Sequence, residues 1–333
     1  MTTSLVTGGA GFIGSHVAKN CLRLGHHVIV LDDLSGGFQI NVPDGAAFVQ
    51  GSLEDEELLD DLFKRYRFDY IYHLAAYAAE GLSHFIRCYN YNTNLIGSAK
   101  LINKAIEHHV KCFVFTSSIA VYGRNQLPMR EDMTPMPEDP YGIAKYAVEL
   151  DLNSANLIFG LNSIIFRPHN VYGENQNIGD KYRNVIGIFM NQIMKKEEIT
   201  IFGDGEQTRA FSYIGDVAPI IAKSVNFPAA YNKTFNIGAS KPYSVNCLAH
   251  LIAQEFGTIA SIRHEKPRIE AQHAFSDHVK AKSYFGEIGE TSIQEGIRLM
   301  ANWAKSVGAK SSKKFKKIEV MENLPEIWQT ASD

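Results

Sequence analysis

Ser4-Leu5-Val6-Thr7-Gly8-Gly9-Ala10-Gly11-Phe12-Ile13-Gly14 begins with a short apolar run, passes through a glycine-rich loop and ends in a helical pattern. Gly8 and Gly11 allow a tight turn and a close backbone approach to a pyrophosphate. Gly14 lets the following helix lie close to a sheet, and the helix start offers free N–H groups to phosphate oxygens. A lone glycine motif is weak evidence. Here the strand–loop–helix context is joined by Asp32, at the end of the next apolar run, Val28-Ile29-Val30-Leu31. A carboxylate about 20 residues beyond the loop can accept hydrogen bonds from ribose hydroxyls and would repel a 2′-phosphate. No arginine stands in Asp32-Asp33-Leu34-Ser35-Gly36, so NAD is favoured over NADP.

Working outward, further apolar runs lie at Ala47-Phe48-Val49, Tyr70-Ile71-Tyr72-His73-Leu74, Cys112-Phe113-Val114-Phe115 and Ser163-Ile164-Ile165-Phe166. Helical patterns separate them at 13–22, 54–66, 88–108 and 141–159. Continuous rather than alternating hydrophobicity suits parallel strands covered on both faces. The expected fold is α/β, a Rossmann-like doubly wound parallel sheet with a smaller α/β substrate-binding lobe. Residues 1–168 are assigned to the NAD-binding domain, with later segments returning to it, and 169–306 mainly to the lobe. In the lobe a helix is expected over 184–196 and a strand over Ile199–Phe202. Residues 307–333 read as a C-terminal extension, basic from Lys310 to Lys317 and solvated, with no chemistry assigned.

Composition excludes several classes of protein. At 333 residues, 45% apolar and 21% charged, the chain has the make-up of a soluble globular enzyme. A net charge of -3 argues against nucleic acid or an anionic membrane as the main partner. Cys21, Cys88, Cys112 and Cys247 form no C-x-x-C pair, so neither a zinc site nor a disulfide framework is suggested. They read as small core hydrophobes in a reducing compartment, and with no leader or membrane span expected, the cytoplasm is the default location.

Asp139-Pro140-Tyr141-Gly142-Ile143-Ala144-Lys145 carries the chemistry. Tyr141 and Lys145, four apart on a helix, share one face at roughly 6 Å between Cβ atoms. An ammonium that close favours a phenolate and lets the tyrosine act as a base below its free pKa of about 10. Such pairs also arise by chance on solvated helices. The glycine loop upstream and Thr116-Ser117-Ser118 at the end of a strand favour the catalytic reading. His73, inside an apolar strand end, reads as a satisfied core histidine rather than a catalyst.

The glycine loop, Thr116-Ser117-Ser118-Ile119-Ala120-Val121-Tyr122-Gly123, Tyr141-x-x-x-Lys145 and Arg167-Pro168-His169-Asn170-Val171-Tyr172-Gly173, in this order, resemble the extended short-chain dehydrogenase/reductase family, nearest its UDP-glucose 4-epimerase branch. The resemblance covers roughly residues 3–300. It implies that Ser118 binds the sugar 4-hydroxyl, that Tyr141 is the base, and that Lys145 holds the nicotinamide ribose and lowers the tyrosine pKa. It places Gly8, Gly11, Phe12, Ile13, Gly14, Asp32, Asp33, Ser52, Leu53, Leu74, Ala75, Asn94 and Ser117 in the NAD site. Asn170 and Asn184 would contact the substrate diphosphate region, Phe202 would lie near the base, and Arg209 and Arg268 would pair with pyrophosphate oxygens. No metal is implied. The partner is a nucleotide sugar, UDP-linked by the same resemblance, and a homodimer is expected through helices 88–108 and 141–159. Tyr89, Leu95, Ile102 and Ile106 in the first, with Tyr146, Leu150 and Leu157 in the second, supply its apolar surface.

Departures from the pattern narrow the chemistry. Ile119 and Ala120 stand where 4,6-dehydratases carry Asp-Glu and where decarboxylating relatives carry a glutamate, so plain epimerisation is favoured. A dehydrogenase or reductase is the alternative enzyme, and an NAD-binding regulatory protein the alternative without turnover. Gly51-Ser52 lacks the usual adenine-side carboxylate, Arg268-Ile269-Glu270 is one residue short, and 75–84 is atypical. Ala274 matches a position often filled by tyrosine, which predicts room for N-acetylhexosamine or hexuronate forms alongside glucose and galactose.

Overall fold

The computed structural model describes residues 1–124, 126–268, 270–312 and 315–329. Strands β1 (Thr3–Thr7), β2 (His27–Asp32), β3 (Ala47–Gln50), β4 (Tyr70–His73), β5 (Cys112–Thr116) and β6 (Ser163–Pro168) join the strand Lys233–Ile237 in a seven-stranded sheet. Its order is β3-β2-β1-β4-β5-β6 followed by Lys233–Ile237, and every pairing is parallel. The chain reverses its direction of winding between β1 and β4. The crevice beyond their carboxyl ends is where a doubly wound sheet holds its ligand.

Both faces are covered, which explains the unbroken apolar runs. Leu5, Ile29, Ile71, Phe113 and Phe115 face one core, beneath α2 (Glu56–Arg65) and the helices Gly97–Glu107 and Pro140–Phe159. Their neighbours Val6, Val28, Val30, Tyr72 and Val114 face the other, beneath α1 (Phe12–Arg23) and the helices Ile214–Lys223 and Val279–Phe285. The last two helices come from the second half of the chain, as does the strand Lys233–Ile237. The helix expected over 88–108 runs from Arg87 to Glu107 and carries a π-helical stretch at Asn92–Ile96. Ile102 belongs to the core beneath it rather than to an outer surface.

A separate core underlies the lobe, where the helices Val185–Met194, Val245–Glu255 and Ile293–Val307 meet around Phe189, Met190, Ile201, Leu248 and Met300. The strand Ile199–Phe202 pairs in parallel with Ile262–Glu265, and Thr208–Ala210 lies between Pro242–Ser244 and His273–Ala274. Of the cysteines, Cys21 and Cys112 are buried, while Cys88 and Cys247 are exposed instead of core-filling. No helix among the described residues is long and apolar enough to cross a membrane.

The C-terminal segment departs from its expected solvated state. Leu324 and Trp328 are buried with Tyr77, Leu82, Ile86 and Tyr182 in a small core of their own. Their burial follows from the partly apolar stretch Ile318–Trp328, which outweighs the basic run before it. Residues 313, 314 and 330–333 of the expected extension lie outside the described residues.

Two local features hold the helix Pro140–Phe159 at the crevice. Asp139 caps it by accepting from the Gly142 N–H at 2.9 Å, with Pro140 in the first turn, and Gly160 ends it at φ 73°. Such a cap is worth about 1 kcal/mol. Two turns in, Glu149 accepts from Arg167 Nε at 3.0 Å and Nη2 at 2.5 Å, and from the Ser117 hydroxyl at 2.5 Å. Both members of the ion pair are almost wholly buried. Glu149→Gln would leave the Arg167 charge uncompensated in the interior. Urea denaturation should then show a stability loss of about 3–5 kcal/mol, and a loss below about 1 kcal/mol would contradict this assignment.

Candidate active site

The glycine loop is shaped by close approach. Gly8 has φ 68°, and a Cβ there would sit 2.7 Å from the Ala75 amide nitrogen. A Cβ on Gly14 would collide with the Gly8 carbonyl oxygen, so only glycine lets α1 enter this near β1. The start of α1 has neither a side-chain cap nor an acidic residue in its first turn, and Gly11, Phe12, Ile13 and Gly14 line the cavity beside it. Unsatisfied N–H groups without competing negative charge suit a phosphate.

Asp32 also braces the loop. One carboxylate oxygen accepts from the Ala10 N–H at 3.0 Å, and the other from the Leu34 N–H at 2.8 Å. Burial raises its pKa, and these backbone bonds work in the opposite direction. Asp33, Ser52, Leu53, Leu74, Ala75 and Ser117 line the same cavity. Asn94 does not. Its amide is spent on the Tyr77 backbone, accepting from N–H at 2.8 Å and donating to C=O at 3.1 Å. On the π-helical stretch it is buried and braces the loop after β4.

Thr7, Gly36, Gly37 and Arg183 escaped the sequence reading. The Thr7 hydroxyl receives the Leu74 and Ala75 N–H groups at 3.3 and 3.2 Å and meets the His73 ring at 2.7 Å. The other His73 nitrogen lies 2.8 Å from the Ser98 hydroxyl, and burial lowers the histidine pKa to about 3. His73 is therefore a satisfied core residue. A Cβ on Gly37 would strike the Ala10 backbone. Arg183 pairs with Asp180 at 2.7 Å, lies over the Tyr77 ring at 4.7 Å and reaches Gly36. No spacing in the sequence links Arg183 to a loop about 150 residues away.

Ser118, Tyr141 and Lys145 share the cavity wall at the carboxyl end of β5. Ser118 stands beside the Tyr141 phenol and works to lower its pKa, and its hydroxyl accepts the Ala120 N–H at 3.1 Å. Lys145 is buried, donates to the Thr116 carbonyl at 2.8 Å and lies 5.9 Å from the Tyr141 ring centre. Burial lowers its pKa to about 7, opposed by Glu149. The expected lowering of the tyrosine pKa by Lys145 is not what the chain alone produces. Burial dominates and raises it, against Ser118 and the Arg183 charge. A desolvated phenol with a desolvated ammonium below it can exchange a proton with a bound hydroxyl only where further positive charge is supplied.

At the far end of the cavity stand Asn170, Asn184, Phe202, Arg209, Arg268 and Ala274. Asn170 donates to the Ala210 carbonyl at 3.2 Å. Asn184 precedes its helix at φ 67° without capping it, which leaves its amide to the cavity. Arg209 donates to the carbonyls of Thr208, Gln272 and Ala271 and so anchors the strand that carries Ala274. Arg268 lies over the Phe202 ring at 4.2 Å. Glu80, from the atypical 75–84 segment, opens onto the cavity but is ringed by protein. That loss of bulk solvent, then Asp139, raises its pKa.

A doubly wound sheet with a glycine cradle, a ribose-side carboxylate and a Ser–Tyr–Lys set defines a dinucleotide-dependent enzyme acting on an alcohol or carbonyl carbon. Residues 4–238 match the NAD dependent epimerase/dehydratase family. A putative UDP-glucose 4-epimerase of Methanocaldococcus jannaschii is 36% identical over 305 residues, covering 91% of this chain and 98% of its own. The UDP-glucose 4-epimerase of Thermotoga maritima, solved with UDP-glucose, superposes with TM-score 0.88 at 36% identity, over 92% of this chain and 99% of that one. The UDP-N-acetylglucosamine 4-epimerase of Methanobrevibacter ruminantium, solved with UDP-N-acetylmuramic acid, gives TM-score 0.84 at 29% identity, over 92% and 98%. The chain belongs to the NAD dependent epimerase/dehydratase family.

Asp32→Ala should narrow the preference for NAD over NADP several-fold, roughly 1 kcal/mol or more, because the charge facing a 2′-phosphate is gone. It should also lower the melting temperature, since the Ala10 and Leu34 N–H groups lose their acceptor. Calorimetric titration with both dinucleotides checks the first effect, and equal affinities in the unmodified protein would contradict it.

Proposed function

We propose that the chain is a UDP-sugar 4-epimerase that oxidises C4 transiently and reduces it from the opposite face. The observation that carries this reading is the convergence of Ser118, Tyr141 and Lys145 with the glycine cradle in one cavity. Bound NAD supplies reversible hydride acceptance at C4. Tyr141 takes the 4-hydroxyl proton and later returns it, while Ser118, on the same cavity wall, orients that oxygen. Lys145 stands beneath the phenol as the adjoining charge, held by the Thr116 carbonyl. Ile119 and Ala120 border the same space without a group able to move a proton at C5 or C6, which supports epimerisation over dehydration or decarboxylation. The intact trio supports turnover over a purely regulatory role.

At the sugar end the small Ala274, packed beside Met129 and Val121, supports acceptance of N-acetylhexosamine or hexuronate forms. The relatives named for UDP-glucose and UDP-N-acetylglucosamine epimerisation support plain hexose and N-acetylhexosamine forms. Arg268, with its buried Nε unpartnered among the described residues, supports the diphosphate of the same substrate. Incubation with a panel of UDP-sugars, without added cofactor, should yield C4 epimers by NMR. Tyr141→Phe should lose most turnover, about a hundredfold or more, while retaining bound NAD. Near wild-type rates in that variant would refute the mechanism.

The same reading places the enzyme in the cytoplasm as a homodimer. Ile96, Ile143, Leu150 and Leu157 are exposed on the helical stretches Arg87–Glu107 and Pro140–Phe159, with Leu157 82% open to solvent. Apolar surface concentrated on adjacent helices favours a self-complementary interface. Light scattering at micromolar concentration should give a dimer mass, and Leu150→Glu with Leu157→Glu should shift it to monomer. A monomeric unmodified protein would count against the pairing.

A further inference from the structure

The segment after the last lobe helix lines the cavity with its later residues and is held at several separated points of its described course. At its start, Asn191 of the lobe accepts the Lys310 N–H at 2.8 Å and donates to the Lys310 carbonyl at 2.9 Å. The Phe315 N–H donates to the Tyr182 hydroxyl at 3.2 Å, and its ring meets Tyr77 at 5.1 Å and Tyr89 at 4.9 Å. The Glu319 carboxylate then accepts the Cys88 and Tyr89 N–H groups, at 2.7 and 2.9 Å, at the start of the Arg87–Glu107 helical stretch. The segment thereby joins the lobe to the atypical loop that follows β4.

Its end reaches the cavity wall beside Phe202 and Arg268. Trp328 is buried and sits at ring distances of 5.4 Å from Tyr182, 6.2 Å from Phe85 and 6.1 Å from Phe202. The Arg268 guanidinium lies 5.7 Å from the Trp328 ring centre and 4.2 Å from that of Phe202. Its charge partner, Glu270, is no nearer than 3.5 Å, and its buried Nε has no partner among the described residues. Two aromatic faces, together with a long contact from Nη2 to Glu270, thus hold the guanidinium, and a planar fork held this way keeps its buried Nε–H for an anion. Leu324, Pro325, Ile327 and Trp328 all line the cavity.

We infer that the C-terminal strap is a built part of the nucleotide-sugar site, with Trp328 positioning Arg268 and Phe202 for the UDP moiety. This rests on the UDP-sugar reading above and adds a specificity element from a segment to which the family resemblance assigns nothing. Trp328 acts through Arg268 and Phe202, so it governs binding and not the chemical step.

The test uses the full chain with its NAD. Trp328→Ala should raise both KM for the UDP-sugar and the Kd for UDP, measured by calorimetry, roughly 3–30-fold. Its kcat should stay within about twofold and its NAD content should be unchanged, and Trp328→Phe should recover most of the loss. The chain has two tryptophans, so Trp303→Phe leaves Trp328 as the sole indole reporter. Its emission should change saturably as UDP is added, a reading that stands even where Trp328→Ala fails to fold. Unchanged KM and Kd in a folded Trp328→Ala, or emission indifferent to UDP, overturns the inference. A protein whose Trp328 responds to UDP but which epimerises no sugar would refute the proposed activity and leave the strap's role intact.

Discussion

One close approach sets the geometry of this molecule: the entry of α1 against the carboxyl ends of β1 and β4. The Gly8 carbonyl occupies the space where a side chain on Gly14 would stand, and the Ala75 amide occupies the space beside Gly8. Removing two Cβ atoms lets a helix start, with its free N–H groups, face the crevice at the switch in strand order. Thr7 ties β1 to the chain leaving β4, since its hydroxyl receives the Leu74 and Ala75 N–H groups. Asp32 closes the arrangement from the β2 side through the Ala10 amide. The features that would recognise a dinucleotide are therefore also the features that hold the loop in shape.

The catalytic face depends on a different balance, between desolvation and charge. Burial opposes both a phenolate at Tyr141 and an ammonium at Lys145, and the protein offsets only part of this. Ser118 and Arg183 favour the phenolate, and Glu149 favours the ammonium. Glu149 in turn is shared with Arg167 and Ser117, which links the lysine to the residue directly before Ser118. Two adjacent ionisable groups in a poorly solvated wall respond strongly to any charge brought beside them, because little water remains to screen it. That sensitivity suits a site whose base must work only when the cavity is filled.

The cavity itself is assembled from parts far apart in the chain. Phe202 and Arg209 come from lobe strands, Ala274 from a short strand locked to Arg209, and Trp328 from beyond the last long helix. The strap matters because it contacts both the lobe, through Asn191 and Tyr182, and the segment that follows β4, through Tyr77, Phe85 and the helix start at Tyr89. A segment bound on both sides of a cleft couples their separation to whatever occupies the cleft.

The doubly wound sheet, the glycine cradle, Asp32 and the Ser118–Tyr141–Lys145 set were all legible in the sequence, because each rests on local chemistry. Period, glycine position and four-residue spacing express backbone sterics and helix geometry that operate over a few residues. The chain by itself also named Phe202, Arg209, Arg268 and Ala274, through motifs shared with a family. What it did not determine was the use of each side chain. The π-helical stretch turns Asn94 inward, Ile102 is claimed by the core, and Arg183 crosses to the glycine loop. The basic tail masked Leu324 and Trp328, whose burial depends on a groove lined by Tyr77, Phe85 and Tyr182. These outcomes were decided by tertiary structure, because they arise from contacts between residues tens to hundreds of positions apart, and no local pattern encodes which surfaces such contacts bring together.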